Sequence, residues 1–218
     1  MTLLRRGRWI TLFALLLLGG IYVRALVYTP AEVHQGLAQK IYYVHVPSAW
    51  SAMLAMGLLG VASILFLFLK DQRYDRFAAA SAEVGTAFSL VMLTTGPLWA
   101  RPIWGAWWTW DARLTLTLMM FFMFVGYLVL RGAVTDAGLR ARYSAVLGIC
   151  GLVLLPFIHL SVYLFRTLHP QPIVLKPSAP SAPPAMVITL LSSFAVFTLL
   201  YIGFVMQRYA IGERTDDA

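Results

Sequence analysis

Tyr143–Phe165 reads YSAVLGICGLVLLPFIHLSVYLF, a run without a single Asp, Glu, Lys or Arg. A helix rises about 1.5 Å per residue, so ~20 mostly apolar residues cross the hydrocarbon core of a bilayer. Outward from this run, five more stretches meet the same requirement: Trp9–Tyr28, Ala49–Leu69, Ser81–Leu98, Leu114–Leu130 and Ala185–Met206. The composition agrees, at 60% hydrophobic and 12% charged residues, and six spans with their links leave no room in 218 residues for a soluble domain of ordinary size. A backbone in lipid must satisfy its own hydrogen bonds. The sequence therefore predicts an all-α integral membrane protein. A single domain over 1–218 forms a six-transmembrane-helix bundle, with an external tryptophan-rich interfacial segment at 99–113.

The basic residues set the orientation, because they favour the cytoplasmic side of a membrane. Eleven fall on one side: Arg5, Arg6 and Arg8; Lys70, Arg73 and Arg76; Arg131, Arg140 and Arg142; Arg208 and Arg214. The other side collects six, namely Arg24, Lys40, Arg101, Arg113, Arg166 and Lys176. Both termini are thus expected in the cytoplasm. The same bias explains the net charge of +8, which carries no nucleic-acid signature. The first span reads as an uncleaved signal-anchor, since no small-x-small cleavage site follows it. Cys150 is the only cysteine and lies within a span, so there is no disulfide framework and no C-x-x-C-H motif for covalent haem. No P-loop occurs, so any ATP use belongs to a partner. Within the spans, Glu83 is expected as an interfacial carboxylate near Arg76, and His159 as a helix-packing histidine with a satisfied hydrogen bond.

Chemistry is expected in the outer links. Trp99–Arg113 reads WARPIWGAWWTWDAR and holds five of the seven tryptophans. An aromatic belt at the membrane interface accounts for Trp9, Trp50 and Trp99, but poorly for four indoles within Trp104–Trp110. If this segment is helical, Trp104, Trp107, Trp108 and Asp111 form one stripe; if extended, Trp104, Trp108 and Trp110 share a face. Either arrangement makes a platform for a flat apolar ligand. Asp111 stands where a helix N-cap is wanted. Arg113 either pairs with Asp111 or binds an anion at the ligand's edge. The first outer link, Tyr28–Ser48, carries His34 and His45. The third, Arg166–Pro184, carries His169 and six of the eleven prolines, and is expected as an extended linker. One histidine on each side of the platform, His45 and His169, suits the two axial positions of a haem iron. His34 is expected to be merely solvated.

The run from Trp99 to Thr115 resembles the WWD signature of haem-handling membrane proteins. In its short six-span form this is the cytochrome c maturation protein C family (CcmC, haem exporter protein C). Tyr43-Val44-His45-Val46-Pro47-Ser48-Ala49-Trp50, His159-Leu160-Ser161-Val162 and Arg166-Thr167-Leu168-His169 support the resemblance, which covers about Ile41 to His169. It implies a protein without catalytic residues that holds haem b as transient cargo on the periplasmic face. It further implies delivery to a membrane-anchored haem chaperone (CcmE-like) for c-type cytochrome maturation. Partners would be ABC transporter subunits and a small single-span subunit (CcmA, CcmB, CcmD-like). Carried over residue by residue, the axial ligands are His45 and His169. The platform is Trp104, Trp107, Trp108, Trp110 and Asp111, with Arg113 at the cargo's edge. The chain departs from the family at Leu164-Phe165, where a tryptophan pair is common, and in the Pro/Ser/Ala tract after His169. Two alternatives are a membrane subunit of an ABC-type haem exporter and a b-type membrane cytochrome. The first wants polar residues lining the spans and the second wants paired histidines within them. This sequence has few of the former and only His159 as a histidine inside a span.

Overall fold

The computed structural model is all-helical and describes residues 2–174 and 176–216. Side chains beyond Glu213 lie outside the described residues, including that of the Arg214 counted above. The helices are α1 (Leu3–Val23), α2 (Tyr42–Leu69), α3 (Gln72–Trp104), α4 (Ala112–Ala133), α5 (Ala137–Leu164) and α6 (Pro184–Asp216). A π-helical turn, Arg24–Tyr28, extends α1, and a 3₁₀ turn, Leu37–Ile41, leads into α2. All six are long and apolar enough to cross a membrane.

Carboxylates start three of these helices. Asp71, Asp111 and Asp136 accept from the backbone N–H groups of Arg73, Leu114 and Leu139 at 2.9, 3.0 and 2.7 Å, satisfying donors a helix cannot pair internally. Lys70, left-handed at φ 56°, closes α2 one residue before Asp71 opens α3. So short a link makes α2 and α3 antiparallel neighbours.

Small residues let the helices approach, as lipid requires where no hydrophobic force drives helices together. A Cβ at Gly203 of α6 would stand 2.4 Å from Thr11 Oγ1 of α1, and one at Gly148 of α5 would stand 2.5 Å from Ser63 Oγ of α2. Between α3 and α2, Ser81 donates to the Ala55 carbonyl at 2.9 Å while the Tyr201 hydroxyl of α6 bonds it at 2.8 Å. α1 packs on α6, α6 on α2 and α3, and α5 bridges α2 to α4, so α2 and α3 form the centre. At the end remote from the tryptophans, Arg131 of α4 binds Asp75 of α3 through two N–H···O bonds of 2.6 and 2.9 Å, with its guanidinium over the Tyr127 ring.

Several expectations change here. α2 begins seven residues before Ala49, so His45 lies inside a helix and not in a link before one. α3 runs nine residues before Ser81 and six beyond Leu98, carrying Trp99–Trp104 with it. Glu83, expected near Arg76, pairs with Arg208 of α6. His159, expected to pack between helices with a satisfied hydrogen bond, is exposed; its ring lies by Tyr163 and lines an open apolar groove of about 660 Å³ between α5 and α2, with Trp50 and Pro156. The proline-rich link is not extended. It turns back through a 2.8 Å bond from Ser181 N–H to the Ile173 carbonyl, and buries Val174 in the cluster of Ala25, Tyr43 and Leu190.

Candidate functional site

The tryptophan segment divides at a glycine. α3 ends at Trp104 because Gly105 adopts φ 76°, a left-handed cap that costs a residue without Cβ nothing. Its N–H returns to the Arg101 carbonyl at 3.1 Å, and the Arg101 side chain closes on the Gly105 carbonyl. Residues 105–111 then cross irregularly to α4, so the single helical stripe is not formed; of the extended grouping, Trp108 and Trp110 come together, while Trp104 stays in α3. The rings that meet are Trp108 and Trp110, edge to face with centroids 5.9 Å apart. Trp104 is half-buried in the last turn of α3, while Trp107 and Trp110 are 56% and 77% exposed. Among the described residues, the buried Trp108 Nε1–H has no acceptor.

Asp111 is a cap. One carboxylate oxygen takes the Leu114 N–H and the other accepts from the Thr109 hydroxyl at 3.2 Å. Arg113 makes no hydrogen bond to Asp111 among the described residues. Its Nη1 donates to the Ile158 carbonyl of α5 at 2.5 Å, tying α4 to the helix that leads to His169. That leaves a cation whose charge reaches both histidines. His169 and His45 lie within electrostatic reach of each other and of Arg113, and Asp111 also acts on His169. Residues 124 positions apart in sequence thus meet at one end of the bundle.

Each imidazole is held differently. His169, past the end of α5, is fixed by its neighbours: its N–H donates to Thr167 Oγ1 at 3.0 Å, and its Nδ1 stands 2.9 Å from the Pro170 carbonyl. Burial, and then the positive charge of Arg113, push its pKa down to about 4, so it is neutral at pH 7. His45 is held by α3. Its Nδ1 lies 3.2 Å from Thr95 Oγ1, Gly96 leaves room for its ring, and the Trp99 ring meets it edge-on at 5.8 Å.

Trp99 was assigned to the lipid belt, but it belongs to this wall. Its indole donates to Gln35 Oε1 at 3.0 Å, and its ring also packs on Tyr42 at 5.7 Å. Trp9, 56% exposed, keeps the interfacial assignment, while Trp50 is anchored to Thr198 of α6 at 3.2 Å. His34 is exposed, as expected, in a turn capped by Glu32. Thr95, Gly96 and Gln35 were missed. Only the first two had a usable signal, the antiparallel pairing of α2 with α3 that the Lys70–Asp71 turn imposes.

The family model described as heme exporter protein C matches residues 3–215. The chain belongs to the heme exporter protein C (CcmC) family. The heme exporter protein C of Haemophilus influenzae is 36% identical over 215 residues, covering 97% of this chain and 87% of the relative. That of Bradyrhizobium diazoefficiens is 39% identical over 195 residues, covering 89% and 73%. A putative cytochrome c biosynthesis ccmC-like mitochondrial protein of Arabidopsis thaliana is 36% identical over 202 residues, covering 92% and 74%. The CcmC family comprises multispan membrane proteins of haem export and cytochrome c biosynthesis, not enzymes.

Proposed function

We propose that this chain holds haem b as transient cargo between His45 and His169 and hands it to a membrane-anchored, CcmE-like chaperone for c-type cytochrome maturation. The observation that carries the reading is the convergence of the two imidazoles on Arg113, beside the tryptophan loop. Their chemistry fits the cargo. Haem iron takes imidazole nitrogens at its two axial positions. His169 must donate through Nδ1, because the Pro170 carbonyl can only accept, and its Nε2 therefore keeps a lone pair. Haem is also an apolar plate edged by two carboxylates. The Trp108–Trp110 pair suits the plate, and the buried, unpaired Trp108 N–H with the Arg113 guanidinium suits the edge. Trp104 and Trp107 complete the apolar rim, and Asp111 acts by holding the start of α4.

The excess of basic residues at the opposite end supports placing both termini in the cytoplasm and this site on the periplasmic side. A reporter at Ser178 is then expected outside, and one fused beyond Ala218, which lies outside the described residues, is expected inside. Family membership supports partners resembling CcmA, CcmB and CcmD.

The test is the visible spectrum of the full chain purified in detergent. A Soret band with six-coordinate α and β bands, lost when haem is delivered to a co-purified chaperone, is the expected result. A well-folded helical preparation that takes up no haem at all overturns the reading.

A further inference from the structure

We propose that Thr95 and Gly96 of α3 are positioning residues that hold His45 as the Nδ1–H tautomer, with Nε2 as its ligating nitrogen. This inference rests on the haem reading above and adds two residues that do not themselves touch the cargo.

Counting donors decides the tautomer. A threonine hydroxyl has one proton to give. At 2.7 Å from the Val91 carbonyl, that proton is committed to the preceding turn of α3. Towards His45, 3.2 Å away, the Thr95 oxygen can then only accept, so the proton of this bond sits on Nδ1. The Met92 carbonyl lies 3.4 Å from the same hydroxyl and is likewise an acceptor only. A neutral imidazole carrying Nδ1–H keeps its lone pair on Nε2. Hydrogen bonding of this kind, behind a metal-binding histidine, orients the ring and raises its basicity.

Gly96 provides the space. A Cβ there would stand 3.1 Å from His45 Cε1, so that the ring would have to give by a few tenths of an ångström, and 3.6 Å from Nδ1, an ordinary contact. A glycine inside a helix costs stability relative to alanine, and here it makes room for one ring orientation. Trp99, one turn beyond Thr95, meets the ring edge-on at 5.8 Å. Thr95, Gly96 and Trp99 are all carried by α3, which is locked to α2 lower down by the Ser81–Ala55 contact. The aim of His45 is thus inherited from helix packing.

The test compares Thr95→Ser, which keeps the acceptor, with Thr95→Val, which keeps the shape and removes it. Gly96→Ala displaces the ring, and each change is repeated in the His169→Ala background. Full-length proteins are purified with their haem, and three properties are read: the low-spin absorption bands, the haem reduction potential, and haem retention against free imidazole. Thr95→Ser is expected to match wild type. Thr95→Val is expected to raise the reduction potential, because a weaker axial donor favours ferrous iron, and to lower retention by on the order of tenfold. The gap should widen without His169, and Gly96→Ala should perturb the bands in the same direction. If Thr95→Val accumulates poorly, Thr95→Ala carries the same expectation. A Thr95→Val protein with wild-type bands, potential and retention overturns the positioning role, provided that His45→Ala alters the spectrum. If His45→Ala leaves the spectrum unchanged, it is the haem reading that fails instead.

Discussion

The two histidines stand at walls of different construction. His45 sits in the first turns of α2 and is gripped by side chains of α3, a neighbour about fifty residues on. His169 sits beyond α5 and is gripped by Thr167 and Pro170, its own chain neighbours, in a link tethered to α5 through Gln171 and the Val162 carbonyl at 3.5 Å. The aim of His45 can change only if two long helices move. That of His169 can change by a few backbone rotations in a proline-rich turn. A carrier needs both kinds of ligand, one that sets affinity and geometry and one that can let go when the acceptor arrives.

The largest test of this contrast is removal of the imidazoles. The double variant His45→Ala/His169→Ala should lose haem affinity by on the order of a hundredfold or more, since changing even the groups behind a metal ligand costs 10–100-fold. Each single variant should keep some haem in altered coordination. Free imidazole should restore six-coordinate bands in His169→Ala at lower concentration than in His45→Ala, because the looser wall admits a substitute. Equal rescue of both would erase the distinction between the walls.

The tryptophans come next. A buried indole is worth about 1–2 kcal/mol, roughly 5- to 30-fold in haem affinity. Trp108→Ala should cost more than Trp107→Ala, because Trp108 is packed against Trp110 and Trp107 is largely exposed. Trp9→Ala should leave haem content unchanged. If Trp107→Ala and Trp108→Ala together match wild type, the loop is only a membrane anchor.

Acidification, read by cleavage within the link that carries His169, probes that wall. Its pKa in place is about 4, below the ~6.5 of a solvated histidine. The displaced link therefore binds the extra proton first. Stability from this source is fully present above about pH 6.5 and is lost as the pH falls towards 4. In haem-free protein, proteolytic nicking within 166–183 should rise over that window, and Arg113→Met should narrow it by removing one cause of the shift. A nicking rate independent of pH would mean that the link is not held through His169.

The smallest effect expected is that of Asp111→Asn. Asparagine caps a helix about as well as aspartate, and both carboxylate oxygens are already engaged by Leu114 and Thr109. Haem content should stay near wild type, whereas Asp111→Ala should lose about 1 kcal/mol of stability in thermal melts. A severe Asp111→Asn phenotype would show that the negative charge itself acts on the cargo or the chaperone.

The spans were legible because an uncharged run of some twenty residues has one stable form in lipid, and Asp111 because a cap is written in a single residue. The ends of α2 and α3 were not. The third span was read as ending at Leu98, yet α3 continues through Pro102 to Trp104. Trp99 is pinned there by Gln35, 64 residues away, and by Tyr42 and His45. The same long-range contacts moved Trp99 from the lipid belt into the site. The tie of Arg113 to α5 was not legible for a related reason, since its acceptor there is a backbone carbonyl and no side-chain pattern announces it.

The ion pair between Asp75 and Arg131 gives the tryptophan loop a mechanical setting. α3 and α4 are joined covalently at one end by residues 105–111 and ionically at the other, with 29 residues of α3, ~44 Å of helix, between. Two struts fastened at both ends form a frame, and a frame tilts as one piece where a free helix would bend or slide. A force applied to the Arg131 end would reach the indoles as a change in their angle to the bilayer.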